Sequence, residues 1–388
     1  MARCGSGVGT WSARRAASGF SPLDQELELS RQAFSPHLVE AVVRLGTEMP
    51  FERVPEVLSF FTRVGIGEET ARAMAERAGA VLQEMEEAEV AAFEREQRPE
   101  IVGAAVQQVS ADGAMVHLVK EGWVEVKTLA IGKIDVSLGR AVHAQEVSYF
   151  SRLDTAEGFR RFAEGELCRR GTYEAQTVCA VMDGAEWLQK FVDWHVPKAV
   201  RILDFPHAAE HVTLAAQAVF GPGTAEVSEW LGTWLHELKH GDPDRVLAVL
   251  QALPTVDAPN PATAAKVRDE VIAYLEKRRT QIAYAEFGKA GYPIGSGMVE
   301  SANKLVVEER LKGSGMHWAR PNVNPLLALR TAACSGRWKQ EWPRIWQGLC
   351  APRRKCRRAD AEPAPTEPIA TPDPPPPPLR PKHPGAIK

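Results

Sequence analysis

The chain has 388 residues, 44% of them apolar, with 47 Lys and Arg against 50 Asp and Glu. That is enough apolar material for a real core in two or three domains, and the near-neutral balance does not by itself announce a nucleic-acid binder. No apolar run is long enough to span a membrane, no signal peptide is evident, and the six cysteines show no C-x-x-C spacing, so the reading is a cytoplasmic chain with reduced thiols and no membrane partner.

Residues 1–22 are rich in Arg, Ser and Gly without an apolar stretch and read as a flexible N-terminus. Residues 23–99 carry helical patterning. Segment 36–46 has apolar residues at helical spacing and ends on Gly46, segment 51–61 follows, 64–70 is a turn, and 71–87 is another helix. Helix, short Gly-containing turn, helix is the outline of a helix-turn-helix, and equally that of a small packing bundle. The Glu-dense run 84–96 reads as a solvated extension or linker.

The periodicity changes at residue 100. Three strands are expected, the first over 101–111 and 114–119 on either side of Asp112-Gly113, the others at 123–134 and 144–153. A helix follows at 155–170, a buried strand at 177–182, a helix to about 194, and a strand at 199–203. The pattern by itself gives an α/β domain. Residues 206–290 are almost wholly helical, with breaks at Gly221-Pro222, Gly241-Asp-Pro243 and 254–261, and read as an α-helical insertion. A Gly/Pro turn at 292–297 opens a helix that stops at Gly313-Ser-Gly315. One more helix spans 324–335. Trp338, Trp342 and Trp346 share a helical face that is expected to be core. Residues 351–388 are basic, then Pro-rich, and are expected to form a disordered tail.

Several acids and bases stand out. Asp112 sits in Ser110-Ala-Asp-Gly-Ala114, where an Asp-Gly turn is as good a reading as a functional acid. Asp183 and Asp204 each follow a buried strand, where sites of α/β domains collect, though Asp183 would also serve as a helix N-cap. His207 and His211 have a spacing that can bind zinc, but no third ligand is apparent, and a surface or core histidine pair is a close alternative. Ser296 is the expected N-cap of the following helix. The capping-box position holds Val299, so Glu300 is not explained as a cap partner, and macrodipole compensation is its ordinary reading. From residue 301 to 358 there are thirteen Lys and Arg against three acids, an asymmetry suited to DNA contact.

Pro293-Ile-Gly-Ser-Gly-Met-Val-Glu300, Arg310-Leu-Lys-Gly-Ser-Gly-Met-His-Trp318 and Ser335-Gly-Arg-Trp338 closely resemble the end of bacterial insertion-sequence transposases of the DDE type, with the ISKra-type family the nearest match. The resemblance runs back through Met182-Asp-Gly-Ala-Glu-Trp187 and Leu203-Asp-Phe-Pro-His207 to about Leu23. It implies an RNase H-like catalytic domain at residues 100–350, with the helical insertion at about 206–290, behind a helical, helix-turn-helix-like DNA-binding domain at 23–99 whose segment 68–77 would enter a DNA groove. It implies Asp112, Asp183 and Glu300 as catalytic, metal-binding acids, with Asp183 preferred over Asp204. The cofactor would be two Mg²⁺ ions about 4 Å apart, with Mn²⁺ as substitute. Asp204, His207 and His211 would support the site, and Lys304, Arg310, Lys312, Arg320 and Arg337 would contact DNA, with Lys304 alternatively pairing with Glu300 along the helix. The partners would be transposon terminal repeats and target DNA, bound by a homo-oligomer associated with the bacterial nucleoid. The family carries a cysteine-bearing zinc ribbon ahead of Pro22, of which Cys4-Gly5 would be a remnant, since one cysteine cannot hold a structural zinc. An inactive DNA-binding derivative and a nuclease without strand transfer are the competing functions.

Overall fold

The computed structural model describes residues 34–95, 101–135 and 142–351. The expected flexible N-terminus at 1–22 and the Pro-rich tail beyond residue 351 lie outside the described residues. Three helices lead. In α1 (Pro36–Glu48), Pro36 occupies the first turn, where its missing N–H costs nothing, and the Ser35 hydroxyl caps the Leu38 amide. Then come α2 (Val54–Thr62) and the 26-residue α3 (Glu68–Phe93). The next elements are β1 (Val106–Leu118), β2 (Gly122–Ile134), β3 (Ala144–Arg152), α4 (Ala156–Arg169), β4 (Thr177–Met182), α5 (Glu186–His195) and β5 (Val200–Leu203). Five helices form the expected insertion: α6 (Phe205–Phe220), α7 (Ala225–His240), α8 (Pro243–Ala252), α9 (Pro261–Glu276) and α10 (Tyr284–Lys289). The chain returns to the sheet through α11 (Gly297–Ala302), which continues as a π-helical stretch over Asn303–Glu308 and a last turn at Glu309–Leu311. It finishes with α12 (Arg320–Cys334) and α13 (Trp338–Cys350).

The strands form one mixed sheet in the order β3-β2-β1-β4-β5. The hairpin-connected β1, β2 and β3 are antiparallel, and β4 and β5 run parallel to β1. This order is compatible with the expected RNase H-like arrangement. Three strands precede the first helix of the sheet domain, as expected, and segments 101–111 and 114–119 both contribute to the first of them. Asp112 and Gly113 lie inside β1, opposite Thr128 and Lys127, so Asp112-Gly113 is a strand dipeptide and not a turn. Alternate residues serve opposite faces. Val109 and Ala111 of β1 and Ala180 and Met182 of β4 pack with Phe159, Leu167, Leu188 and Phe191 of α4 and α5. Cys179 and Val181 face the other way, onto Ala208, Val212, Leu250 and Leu275 of the insertion. A strand buried on both sides reads as a continuous apolar run, which is what Thr177–Met182 shows.

Among the described residues, the N-terminal helices share their core with the end of the chain. Val42, Val43, Leu58, Ala78 and Leu82 pack with Leu329, Ala332, Trp342 and Ile345 of α12 and α13. Helices α3 and α12 approach so closely that a Cβ on Gly79 would lie 2.1 Å from the Pro325 carbonyl oxygen. The helix-turn-helix outline is present as α2, turn and α3, but residues 68–77 are a poor groove-reading face. Ala71, Met74 and Ala75 are buried, Arg72 pairs with Glu68, and Arg77 donates to the Leu349 carbonyl, leaving Glu69 and Ala73 outward. Nor is the Glu run a solvated extension as far as it is described. It continues α3, and Glu87 holds Arg152 at 2.6 Å, Glu89 holds Arg169 at 2.8 Å, and Glu94 holds Arg161 at 2.6 Å.

One member of this run has a pH signature. Desolvation pushes the Glu86 carboxyl up to about 7, against the pull of Arg169 and Arg337 and with the help of Glu166 and Glu341. An acid whose folded pKa is raised binds more protons folded than unfolded, so it favours the fold below that pKa and its contribution is lost as pH rises from about 4.5 through about 7. Glu86→Gln should flatten this part of the stability–pH curve and raise stability at pH 8 by on the order of 1–3 kcal/mol, as read by denaturant melts.

Candidate active site

The parallel ladder sets the acids side by side. Val109 pairs with Ala180 across β1 and β4, and Met182 pairs with Leu203 across β4 and β5. Continuing the first register by three residues brings Asp112 level with Asp183. Continuing the second by one brings Asp183 level with Asp204, and the Asp204 amide still donates to the Met182 carbonyl at 2.8 Å. Neighbouring strands lie about 4.8 Å apart, so the order across the row is Asp112, Asp183, Asp204, with Asp183 the nearer neighbour of Asp112.

The three carboxylates meet different fates. Asp204 is 1% exposed and fully engaged, with Oδ2 accepting from the His207 amide at 3.2 Å as the N-cap of α6 and Oδ1 accepting from the Ser296 amide at 2.6 Å. It ties the end of β5 to the loop that launches the Glu300 helix, which makes it a brace. Asp183 is partly exposed and is not the N-cap of α5, since Ala185 occupies that place. Asp183 Oδ1 instead accepts from the Ala185 amide at 2.7 Å, and Oδ2 faces His207 Nε2 at 3.8 Å. Asp112 Oδ2 accepts from Asn303 Nδ2 at 2.8 Å. Desolvation raises the Asp112 pKa above the ordinary carboxylate range. Repulsion from Asp183 and Glu300 adds to this, while the Gly113 amide and His207 oppose it.

Glu300 lies in the first turn of α11, exposed, with the Ser296 hydroxyl 3.3 Å from its Oε1. Ser296 is the N-cap residue by position, but its hydroxyl serves Glu300 and makes no cap hydrogen bond. Asp183 and Glu300, the latter 188 positions further along the chain, thus both act on the charge of Asp112. Among the described residues, no three His, Cys, Asp or Glu side chains converge to coordination distance of a single point. The donor set is nonetheless the hard-oxygen kind that suits Mg²⁺ or Mn²⁺. A cluster of like charges that raises the pKa of one member is also an arrangement a divalent cation would relieve.

The insertion reaches back to the Asp183 turn. Tyr274 of α9 donates to the Asp183 carbonyl at 2.6 Å, and Arg278 donates to the Gly184 carbonyl at 2.7 Å. Gly184 has φ +83°, and an added Cβ there would meet Arg278 Nε at 2.5 Å, so both the turn and the guanidinium require glycine. His211 stacks on Tyr274 with ring centroids 3.8 Å apart. Desolvation, followed by the His207 and Arg278 charges, lowers its pKa, which disfavours the charged imidazolium in this stacked position. His207 is half-buried and stands between Asp183 and Asp204, with Nδ1 3.9 Å from Asp204 Oδ2. Tyr274→Phe keeps the stack and removes one hydrogen bond. It should cost about 1 kcal/mol in thermal melts and leave the fold intact.

Two of the expected DNA contacts are corrected by burial. Arg310 is 1% exposed, donates to the Gly46 carbonyl at 3.0 Å and lies over the rings of Phe51 and Trp318 at 4.6 and 5.1 Å. Arg337 is committed to the buried carboxylate of Glu166 at 2.9 Å. Neither can meet a phosphate without breaking these contacts. Lys304 is exposed, Lys312 pairs with Glu308 at 2.8 Å, and Arg320 pairs with Glu121 at 2.6 Å at the surface. Asn303, Tyr274 and Arg278 are additions from the structure. Asn303 had a signal in the sequence: it is the one uncharged polar residue on the stripe Val299, Ala302, Asn303, Val306, Val307, Arg310, Leu311, whose helical spacing marks the buried face.

No protein-family model matches the chain, and no curated protein matches it. Among solved structures the chain is similar to the Drosophila P element transposase strand transfer complex, with a TM-score of 0.27 and 11% identity over 84% of this chain and 86% of that one. Similarity at that level carries no weight on mechanism, which rests on the geometry of the acids. Among the described residues, no helix is long and apolar enough to cross a membrane.

Proposed function

We propose that the protein is a DNA transposase of the DDE type, of the insertion-sequence kind that its glycine-rich Glu300 segment resembles. In this reading the mixed sheet is an RNase H-like core. The observation that supports it is the electrostatic neighbourhood of Asp112, which draws on Asp183 and Glu300 from distant parts of the chain. Asp112 lies on β1, Asp183 directly follows the neighbouring parallel strand β4, Glu300 is among the charges that raise the Asp112 pKa, and Asp204 is engaged by the His207 and Ser296 amides.

Asp112, Asp183 and Glu300 would hold two Mg²⁺ ions, or Mn²⁺ in their place. When bound, the ions supply an activated attacking oxygen and stabilise the leaving oxygen of a phosphodiester. The protein's part is to fix three charges on a rigid sheet edge and helix end. His207, beside Asp183 and Asp204, offers an N–H to the scissile phosphate. Lys304, Lys312 and Arg320 give surface charge for the DNA backbone. Water would cleave at each transposon end, and the freed 3′-hydroxyl would attack target DNA, with the protein assembled as a homo-oligomer on the ends.

The test is a strand-transfer assay with Mg²⁺, using labelled duplexes from the DNA that flanks the coding sequence and a supercoiled target. The proposal expects labelled end joined to target. Cleavage without joining would instead indicate a nuclease, and binding without cleavage an inactive derivative.

A further inference from the structure

We propose that Asn303 is a positioning residue of the acid site, whose amide fixes Asp112 and whose free carbonyl oxygen serves the bound cation or one of its waters. The proposal rests on the reading above that Asp112, Asp183 and Glu300 take a divalent cation. Asn303 is 7% exposed and occupies a stripe that is otherwise apolar or filled by the buried Arg310. Its Nδ2 reaches across 191 positions of chain to Asp112 Oδ2 at 2.8 Å. A carboxylate only accepts, so the amide nitrogen must be the atom that faces it. This leaves Oδ1 of the same amide buried and without a hydrogen-bond partner. A buried acceptor with no partner is costly, and on an amide bonded to Asp112, one of the proposed metal ligands, a cation or a cation-bound water would satisfy it.

The local backbone is arranged to deliver this side chain. Asn303 opens the π-helical stretch directly after α11. Before it, Val299 and Ala302 pack on Ala130 of β2, and after it Val306, Val307 and Leu311 pack on Val116 and Val126. The wider turn keeps both apolar stretches on the sheet while Asn303 reaches Asp112. Carbonyls in this stretch are taken up from outside the helix, as Arg330 donates to those of Leu305 and Val306. Single π-turns inside helices are frequent at functional sites, and here the turn brings the Glu300 helix to bear on the β1 acid. The competing explanation is structural, with Asn303 merely fastening helix to strand.

Two variants of the full chain separate these explanations, by thermal melts and by Mn²⁺ titration followed by electron paramagnetic resonance. Asn303→Leu keeps the branched shape and removes both polar atoms. It should fold with a melting temperature near wild type and lose Mn²⁺ affinity by about ten- to a hundredfold, the range for groups that orient metal ligands. Asn303→Asp keeps an oxygen but sets a second carboxylate against Asp112. It should melt lower than wild type without metal and gain more from Mn²⁺ than wild type does. The proposal is overturned if Asn303→Leu binds Mn²⁺ like wild type, or if Mn²⁺ stabilises Asn303→Asp no more than wild type. Should Asn303→Leu fail to fold, Asn303→Asp decides alone. Asp112→Asn is the control. If it too binds Mn²⁺ like wild type, the metal reading of the site fails, and Asn303 with it. If it loses Mn²⁺ while Asn303→Leu retains it, only the role of Asn303 fails.

Discussion

Asp112→Asn, Asp183→Asn and Glu300→Gln should each lower DNA strand cleavage by at least about a thousandfold, since the stabilisation of transition-state charge by a bound metal is worth several kcal/mol. Folding should survive in all three. Asp183 keeps its turn through the Tyr274 and Arg278 bonds, which are made to backbone carbonyls and not to the carboxylate. Asp112→Asn should do more than survive. The folded pKa of Asp112 is raised by burial and by its acidic neighbours, so the ionised form is disfavoured in the fold. Wild-type metal-free protein should therefore gain stability as pH falls from neutral into the carboxylate range. Asp112→Asn should abolish that gain and melt at or above wild type at pH 7. Melts with and without Mg²⁺, run beside a cleavage assay, read both effects. A purely structural role for these acids predicts the opposite, with lower melting temperatures and activity lost only in proportion to unfolded protein.

The largest stability effect is expected at Arg330. This side chain is 2% exposed and bridges the N-terminal helices to the Glu300 helix. It pairs with Glu48 at 2.5 Å and donates to the Thr47 carbonyl at 3.3 Å and to the carbonyls of Leu305 and Val306. Arg330→Met retains much of the apolar stem and leaves these carbonyls unmet. Each buried acceptor left without a donor costs about 1–3 kcal/mol, and with three carbonyls affected the loss is on the order of ten degrees in melting temperature. Cleavage per folded molecule should fall as well, because the π-helical stretch loses two of its external donors and with them the placement of Asn303. A melting temperature within two or three degrees of wild type would contradict this account of the stretch.

The strands and the row of acids were legible because a two-sided buried strand is a short apolar run and the acids interrupt or end such runs. Thr177–Met182 ending at Asp183 is the plainest case. Asp112-Gly113 was ambiguous because the dipeptide suits a turn, and only pairing with β2 holds it extended. The basic residues misled for a related reason. Charge density over residues 301–358 says nothing about which side chains lie on the buried face. Arg310 follows Val299, Ala302, Val306 and Val307 at helical spacing, and that stripe, not its charge, decides its fate between Phe51 and Trp318. The contacts of Glu87, Glu89 and Glu94 were invisible because their Arg partners, Arg152, Arg169 and Arg161, lie 65 to 80 residues later. The choice between Asp183 and Asp204 also needed the third dimension. Both end strands, and the difference is that the Ser296 amide, 92 residues on, occupies Asp204.

The most direct test of the central claim is a crystal of the full chain soaked in Mn²⁺, with anomalous difference maps at the manganese edge. The account predicts density bound by Asp112, Asp183 and Glu300, with Asp204 still bonded to the Ser296 amide. Manganese held by Asp204 in place of Asp183, or no ordered manganese near Asp112 at millimolar concentrations, would contradict it.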